Sequence, residues 1–529
     1  MTIPLLLLAF ILAPAARSTE TASAGPSSGT FTVNGATTPR TGLGQFLPVE
    51  PRGDLIVKPG DWVRAAAWAQ PGGVMTFRIK GLTNDLPMTE DPGQDPGGYY
   101  TGAWRVVALD AAPDKAKPRE LEFSFRHPEH GKARGRAPGR VTAAPGFWRA
   151  ARVSAKLAAT RSGAEAGQLY FFQQGTRILL DGRSGSSWRI RLAGAEEAWI
   201  DDKDIELLPE GTPPTAAKLE TIVVRSSDTH ANVEFSVGTP VPVVVSQEAA
   251  VVRVSFYGVR PHVNWVVYDD NDSFVREVRW RSENSERTDA LIHLREGERL
   301  WGYALRRTGE RWVLTLRRAP RAGRRSLFEG ITVVLDPGPS GSDLAGIGPQ
   351  EALEQDVDLS LARRVRDRLL AEKASVVLTR ESADEVVPLA RRTEIAVERQ
   401  GDVFLSLHVN ALSPGATPLA APGGFSMFHH QPQSVELSRE LQLSYRSRIP
   451  LPSDGMRFAD LHVIRLTEMP SVLLEPGAAM LPESKALIRD PKFQDKLSQA
   501  IVEGLWKFLR KNLREPAKAP PRPASGYGG

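Results

Sequence analysis

Ile331-Thr-Val-Val-Leu335, running into Asp336-Pro337-Gly338-Pro339, decides how the C-terminal part of this 529-residue chain folds. A short apolar, β-branched run closed by a Pro/Gly turn reads as a buried strand. Helical and strand-like segments alternate after it. Residues 356–373 read as a helix, with Val357, Leu361, Val365 and Leu369 in one stripe and Asp356 as its N-cap. Strands are expected at 375–379, 403–407 and 472–474, and helices at 388–398 and 435–445. Phe493, Leu497, Ile501 and Leu505 mark a long final helix. Strand alternating with helix predicts an α/β domain with a largely parallel sheet over residues 330–512.

In such a sheet, ligands bind at the carboxyl ends of the strands. Several chemistry-bearing residues fall there. The first strand ends in Asp336-Pro-Gly-Pro339, His408 ends the strand Val-Phe-Leu-Ser-Leu407, and Glu475 ends the strand Val-Leu-Leu474. Glu354 precedes the first helix, where the helix dipole already favours a carboxylate. A carboxylate directly after an apolar run, as at Glu475, is either paired or functional.

The order and spacing of these segments resemble the zinc-dependent N-acetylmuramoyl-L-alanine amidases. That family's pattern is seen at Ile347-Gly-Pro349, Glu354-Gln-Asp-Val-Asp-Leu359, Leu378-Thr-Arg380, Ser406-Leu-His-Val-Asn-Ala411 and Met469-Pro-Ser-Val-Leu-Leu-Glu-Pro-Gly477, with Arg392 in a helix between. The resemblance implies Zn2+ held by Glu354 and His408, Glu475 as the general acid/base, and Asn410, Arg380 and Arg392 in substrate binding or support. It also implies peptidoglycan as substrate, cut at the amide between N-acetylmuramic acid and the L-alanine of the stem peptide.

One position departs from the pattern. The family's Asp-Pro-Gly-His reads Asp-Pro-Gly-Pro339 here, so the first zinc-ligand histidine is a proline. Proline has no donor atom to offer a metal. Substitutes open to the sequence are Asp343 in the same loop and His429 or His430 after the strand Phe425-Ser-Met-Phe428. His462, in Leu-His-Val-Ile464, reads as a core strand residue; His127 and His130 read as solvated loop residues. Two functions remain open: a wall amidase with an altered metal site, or an amidase-fold protein that binds peptidoglycan or regulates a partner without cutting.

Three all-β modules are expected ahead of this domain. Residues 31–146 read as a β-sandwich, in which Met75, Phe77 and Ile79 alternate with Thr76, Arg78 and Lys80. A basic Pro/Gly-rich linker, 127–146, closes it. Residues 147–210 carry Gly175-Thr176, Trp188-Arg-Ile190 and Ala198-Trp199-Ile200, and resemble a bacterial Src-homology-3-like barrel. Residues 218–317, ending in Trp301-Gly-Tyr303 and Trp312-Val-Leu-Thr-Leu316, resemble β modules that localise amidases to the envelope. The basic run Arg317-Arg318-Ala-Pro-Arg321-Ala-Gly-Arg324-Arg325 reads as a solvated interdomain linker.

The chain ends support export. Leu5-Leu-Leu-Leu-Ala-Phe-Ile11 followed by Ala13-Pro14-Ala15 reads as a signal peptide over residues 1–15, with a flexible spacer at 16–30 and a disordered tail at 513–529. No later run is long enough to span a membrane, so the mature chain is expected in the periplasm or cell envelope. There is no cysteine, which excludes disulfides and thiolate metal sites. Sixty-seven basic against 62 acidic side chains leave a net charge of +5, compatible with a polyanionic wall. Nucleic acid is not expected as a partner, for want of a concentrated basic face. An activating protein is not identified by the sequence.

Overall fold

The architecture was read from a computed structural model of the full chain. It describes residues 30–33, 36–39, 46–91, 98–107, 116–248, 250–269, 274–284, 286–338, 349–408, 424–475 and 482–515. The expected signal peptide lies outside these, as do nearly all of the spacer and the tail beyond residue 515.

The C-terminal domain is a six-stranded sheet between helices. Its elements are β1 (Thr332–Pro337), α1 (Pro349–Ala371), β2 (Ser375–Leu378), α2 (Leu389–Glu398), β3 (Val403–Leu407), β4 (Phe425–His429), α3 (Val435–Arg448), β5 (Ser453–Phe458), β6 (Ser471–Glu475), α4 (Pro482–Arg489) and α5 (Pro491–Asn512). Strand order is β2-β1-β3-β6-β4-β5. β1 pairs parallel with β2 and β3, β3 with β6, and β4 with β5; β4 runs antiparallel to β6.

Successive strand residues point to opposite faces, and here both faces are covered. Val333, Leu335, Val403, Leu405, Leu407, Val472 and Leu474 pack with α1, α3 and α5. Val334, Phe404 and Leu473 face the other way, toward Ala396 of α2 and Ile464. This double burial explains why the strands read as continuous apolar runs rather than alternating ones.

The first helix starts earlier than its apolar stripe suggests. It begins at Pro349, so Asp356 is not its N-cap and Glu354 lies inside it rather than before it. Proline's fixed φ and missing N–H suit a first helical position. The helix stops where Lys373 takes a left-handed φ of 69°. At α5, Asp490 caps through its carboxylate on the Lys492 N–H at 3.0 Å, with Pro491 first in the helix.

The described residues before 319 are built almost wholly of strands. One hydrophobic cluster lies between Trp62–Trp68 with its partners and Val74–Ile79 with Arg119–His127. The stretch expected as a basic linker is instead a strand, Gly131–Ala143, antiparallel to Arg119–His127. Pro138 and Gly139 fall where the register shifts, a bulge that tolerates them. Leu55–Val57 then pairs with Gly131–Ala143 on one side and Arg177–Ser184 on the other, joining this sheet to strands of the next segment. Residues 217–318 form a further cluster between two sheets, with Phe235 and Phe256 ring to ring at 5.1 Å.

The basic run after Leu316 is not a free linker. Arg317 pairs with Asp402, Arg318 with Glu298 and Arg321 with Asp228. Arg514 pairs with Asp228 and donates to the Ala319 carbonyl at 2.6 Å, so the tail stays attached through residue 514. The sequence pattern misread these residues because each cation's partner is remote in the chain.

The domain rests on α5. Leu497 is 1% exposed at the centre of the larger cluster. Leu497→Ala is expected to cost about 2–5 kcal/mol, measured as a fall in the urea unfolding midpoint.

Candidate functional site

The parallel strands β1, β3 and β6 end side by side. Gly338 donates its N–H to the Leu407 carbonyl at 2.7 Å, and His408 donates its N–H to the Leu474 carbonyl at 3.0 Å. Leu407 stands opposite Leu474 in register, so His408 and Glu475 follow on adjacent strands. Adjacent strands are about 4.8 Å apart. Gly338, His408 and Glu475 therefore form one row, and both side chains in it are partly exposed. Glu354 lies in α1, one turn before Asp358.

Beneath the row is a buried polar network that the sequence pattern did not assign. Asp336 is 0% exposed. Its Oδ1 accepts from Thr379 Oγ1 at 2.6 Å and from Arg392 at 3.1 Å, and its Oδ2 accepts from Ser406 Oγ at 2.7 Å. Each neighbouring strand thus contributes one hydroxyl to a carboxylate on the central one. A buried charge needs this degree of satisfaction.

Arg380 and Arg392 are each 1% exposed. Arg392 donates to the carbonyls of Gly338 at 2.7 Å, Val387 at 3.0 Å and Pro337 at 3.3 Å. Arg380 donates to Pro337 at 3.0 Å and, across to α1, to the Gln355 carbonyl at 2.9 Å. Burial lowers the pKa of its guanidinium, with Asp358 acting against the shift. The two arginines fasten the end of β1 to the loop before α2 and to the turn of α1 just after Glu354.

Gly338 has no room for a side chain. A β-carbon there would overlap the Asp358 carboxylate and sit 3.1 Å from the Leu407 carbonyl. This close approach holds α1 against the strand end.

The alternative metal ligands fare unequally. Pro339, Asp343 and Asn410 lie outside the described residues. His429 is excluded by strand direction: β4 is antiparallel to β6, and Ser426, not His429, stands opposite Glu475. His429 is three residues further from the site edge, about 10 Å at 3.4 Å per residue. His430 turns to the Ala459 carbonyl at 3.1 Å and stacks on Phe458 at 5.0 Å. His462 is in a short 3-10 turn, His462–Ile464, not a strand, and burial lowers its pKa. His127 spends one ring nitrogen on the Pro71 carbonyl at 3.1 Å and the other on the N–H groups of Glu129 and His130.

The donor set falls short of a catalytic zinc site, which takes three protein ligands and leaves one position open. At the three ligand positions of the family pattern the sequence carries Glu354, His408 and Pro339, and the proline has no donor atom. Among the described residues, no three His, Cys, Asp or Glu side chains converge on one point.

Two substitutions test the support network. Arg392→Met leaves Asp336 buried without its countercharge and should cost about 3–5 kcal/mol. Gly338→Ala forces an overlap and should cost about 1–3 kcal/mol. Both are read by chemical unfolding of the full chain.

Residues 333–507 match the family model described as N-acetylmuramoyl-L-alanine amidase. The N-acetylmuramoyl-L-alanine amidase LytC of Bacillus subtilis is 30% identical over 181 residues, 34% of this chain and 36% of LytC. The uncharacterized protein YqiI of the same organism is 31% identical over 192 residues, 36% of this chain and 91% of YqiI. The probable cell wall amidase LytH of Staphylococcus epidermidis is 31% identical over 184 residues, 34% of this chain and 60% of LytH. The chain thus spans less than two thirds of LytC and LytH. Among solved structures, the catalytic domain of CwlV from Bacillus (Paenibacillus) polymyxa var. colistinus shares 28% identity, covering 34% of this chain and 98% of that one, with a TM-score of 0.31. Through its C-terminal domain, this chain belongs to the N-acetylmuramoyl-L-alanine amidase family.

Proposed function

We propose that the chain hydrolyses the amide between the lactyl group of N-acetylmuramic acid and the L-alanine of the peptidoglycan stem peptide. The observation that carries this reading is the adjacency of His408 and Glu475 at the ends of two buried parallel strands, on a domain of the amidase family.

Glu475 is the general base. It takes a proton from the attacking water, the new C–O bond forms as the C–N bond breaks, and the same proton passes to the departing amine. His408, which follows the adjacent strand, serves the carbonyl oxygen as a hydrogen-bond donor. Zn2+, in the family's manner, would meet only Glu354 and His408 as protein ligands. Arg380 and Arg392 keep the strand end in place without touching substrate, and Asn410 follows His408 as a substrate-binding residue.

The modules before the domain are read as its delivery apparatus. Residues 1–15 serve as a signal peptide, which places the protein in the periplasm or cell envelope. Residues 31–146 form a sandwich, 147–210 a Src-homology-3-like barrel, and 218–317 an envelope-localising module that presents the catalytic domain to peptidoglycan.

Pro339 favours a second reading. A domain with two zinc ligands holds metal weakly, and even the loss of a residue that orients a ligand costs 10–100-fold. In that reading the fold binds wall polymer or regulates a partner without cutting.

The test measures bound zinc and release of stem peptides from purified peptidoglycan by the full mature chain, beside Pro339→His and Glu475→Ala. The enzyme reading expects release by the parent that falls to background in Glu475→Ala. A metal-free, inert parent that gains both zinc and activity in Pro339→His would overturn it in favour of the binding role.

A further inference from the structure

The three strands that end at the site all begin beneath the module of residues 217–318. Thr332, first in β1, exchanges two hydrogen bonds with Asp402, the residue before β3. Its N–H donates to Asp402 Oδ2 at 2.7 Å, and its carbonyl accepts the Asp402 N–H at 2.7 Å. The segment before β6 joins them, with the Pro470 carbonyl accepting the Phe404 N–H at 3.0 Å.

The module grips this same point. Trp301 Nε1 donates to the Asp402 carbonyl at 2.8 Å. Arg317 donates to Asp402 Oδ1 and to the Gly401 carbonyl, each at 2.5 Å. Tyr303 donates its N–H to the Thr467 carbonyl at 2.6 Å. Gly302 lies so close to Glu468 that a β-carbon would overlap that residue's carbonyl. Trp301 is 3% exposed, with its ring 5.3 Å from Phe508 of α5. It belongs to the core of the α/β domain although its strand, Leu300–Thr308, belongs to the module.

A β-strand cannot be stretched, since each residue advances it about 3.3 Å. With both faces buried, it cannot slip by one residue without turning apolar side chains outward. The place of each strand's start therefore determines the place of its end. Asp402 is buried, and burial raises its pKa against Arg317, so the clasp depends on that countercharge.

We propose that Trp301 and Arg317 are positioning residues of the site: through Asp402 they hold the starts of β1 and β3, and so set the row of Gly338, His408 and Glu475 at the far ends. The inference rests on the proposed role of that row, and the β module is on this view a structural part of the catalytic domain as well as its neighbour. Its partner is the domain's own sheet.

The test is hydrogen exchange on the full chain, which needs no activity and is independent of whether the domain cuts peptidoglycan. The reporters are the Gly338 and His408 amides, which bridge the strand ends. Trp301→Phe keeps a ring but loses the indole N–H; Arg317→Met loses the fork. Leu497→Ala supplies a loss of stability without touching the clasp, and Arg321→Ala removes a nearby pair, with Asp228, that does not reach Asp402. The expected result is exchange at Gly338 and His408 roughly tenfold faster in the clasp variants than in Leu497→Ala at matched global stability, the effect of about one hydrogen bond. Arg321→Ala should leave both amides unchanged. Arg317→Lys, which retains the charge but not both contacts, should fall between parent and Arg317→Met and covers the case of a clasp variant that fails to fold. Exchange that rises in the clasp variants only in step with global stability would overturn the proposal.

Discussion

The carboxylate of Asp336 is the interaction on which the site edge depends. It is fully buried at the end of the central strand, and a buried charge is tolerated only where its lone pairs are filled. Thr379 fills one from the β2 side, Ser406 another from β3, and Arg392 adds the opposite charge from α2. To satisfy one anion, three elements must converge on the same few ångströms. The guanidinium that answers the charge then has donors to spare, and it spends them on the carbonyls of Pro337 and Gly338. The backbone that would present a ligand is thereby held from behind, by groups no substrate reaches.

The two ends of the sheet divide the work. At the carboxyl end Gly338 stands in a row with the partly exposed His408 and Glu475. At the amino end the strands disappear under a β module, which reaches the sheet through an indole N–H and an arginine. Backbone at a buried junction needs partners for every N–H and C=O, and here much of that need is met by another part of the chain. The Gly302 contact with Glu468 is close enough to exclude a side chain, so this junction is a packed surface rather than a hinge.

Pro339 gives the domain its particular character. It removes one donor from a ligand set while the surrounding frame stands: Asp336, Arg380 and Arg392 remain fully engaged. Strand polarity narrows the substitutes for the missing donor, because the antiparallel β4 takes His429 and His430 away from the site edge.

The alternation of apolar runs and helical stripes after residue 330 was sufficient to name the α/β class and the strands buried on both faces, because such strands are mostly apolar, though it missed Ser453–Phe458. It was also sufficient to bring Glu354, His408 and Glu475 into one hypothesis, because parallel strands deliver their ends to a common edge. Several features were decided only in three dimensions. Arg380 and Arg392 read as residues of substrate binding or support, and their burial came only from the folded chain, since a side chain's surroundings come from distant segments. Helix α1 starts at Pro349, seven residues before the Asp356 cap read from the stripe. The glycine- and proline-rich stretch 131–143 became a strand, because pairing partners outweigh local propensity. The arginines from 317 to 321 looked solvated, and only the docking of the β module gave them Asp402, Glu298 and Asp228. Local pattern determined which elements form; the pairing of charges between segments from 20 to 93 residues apart determined how they are held together.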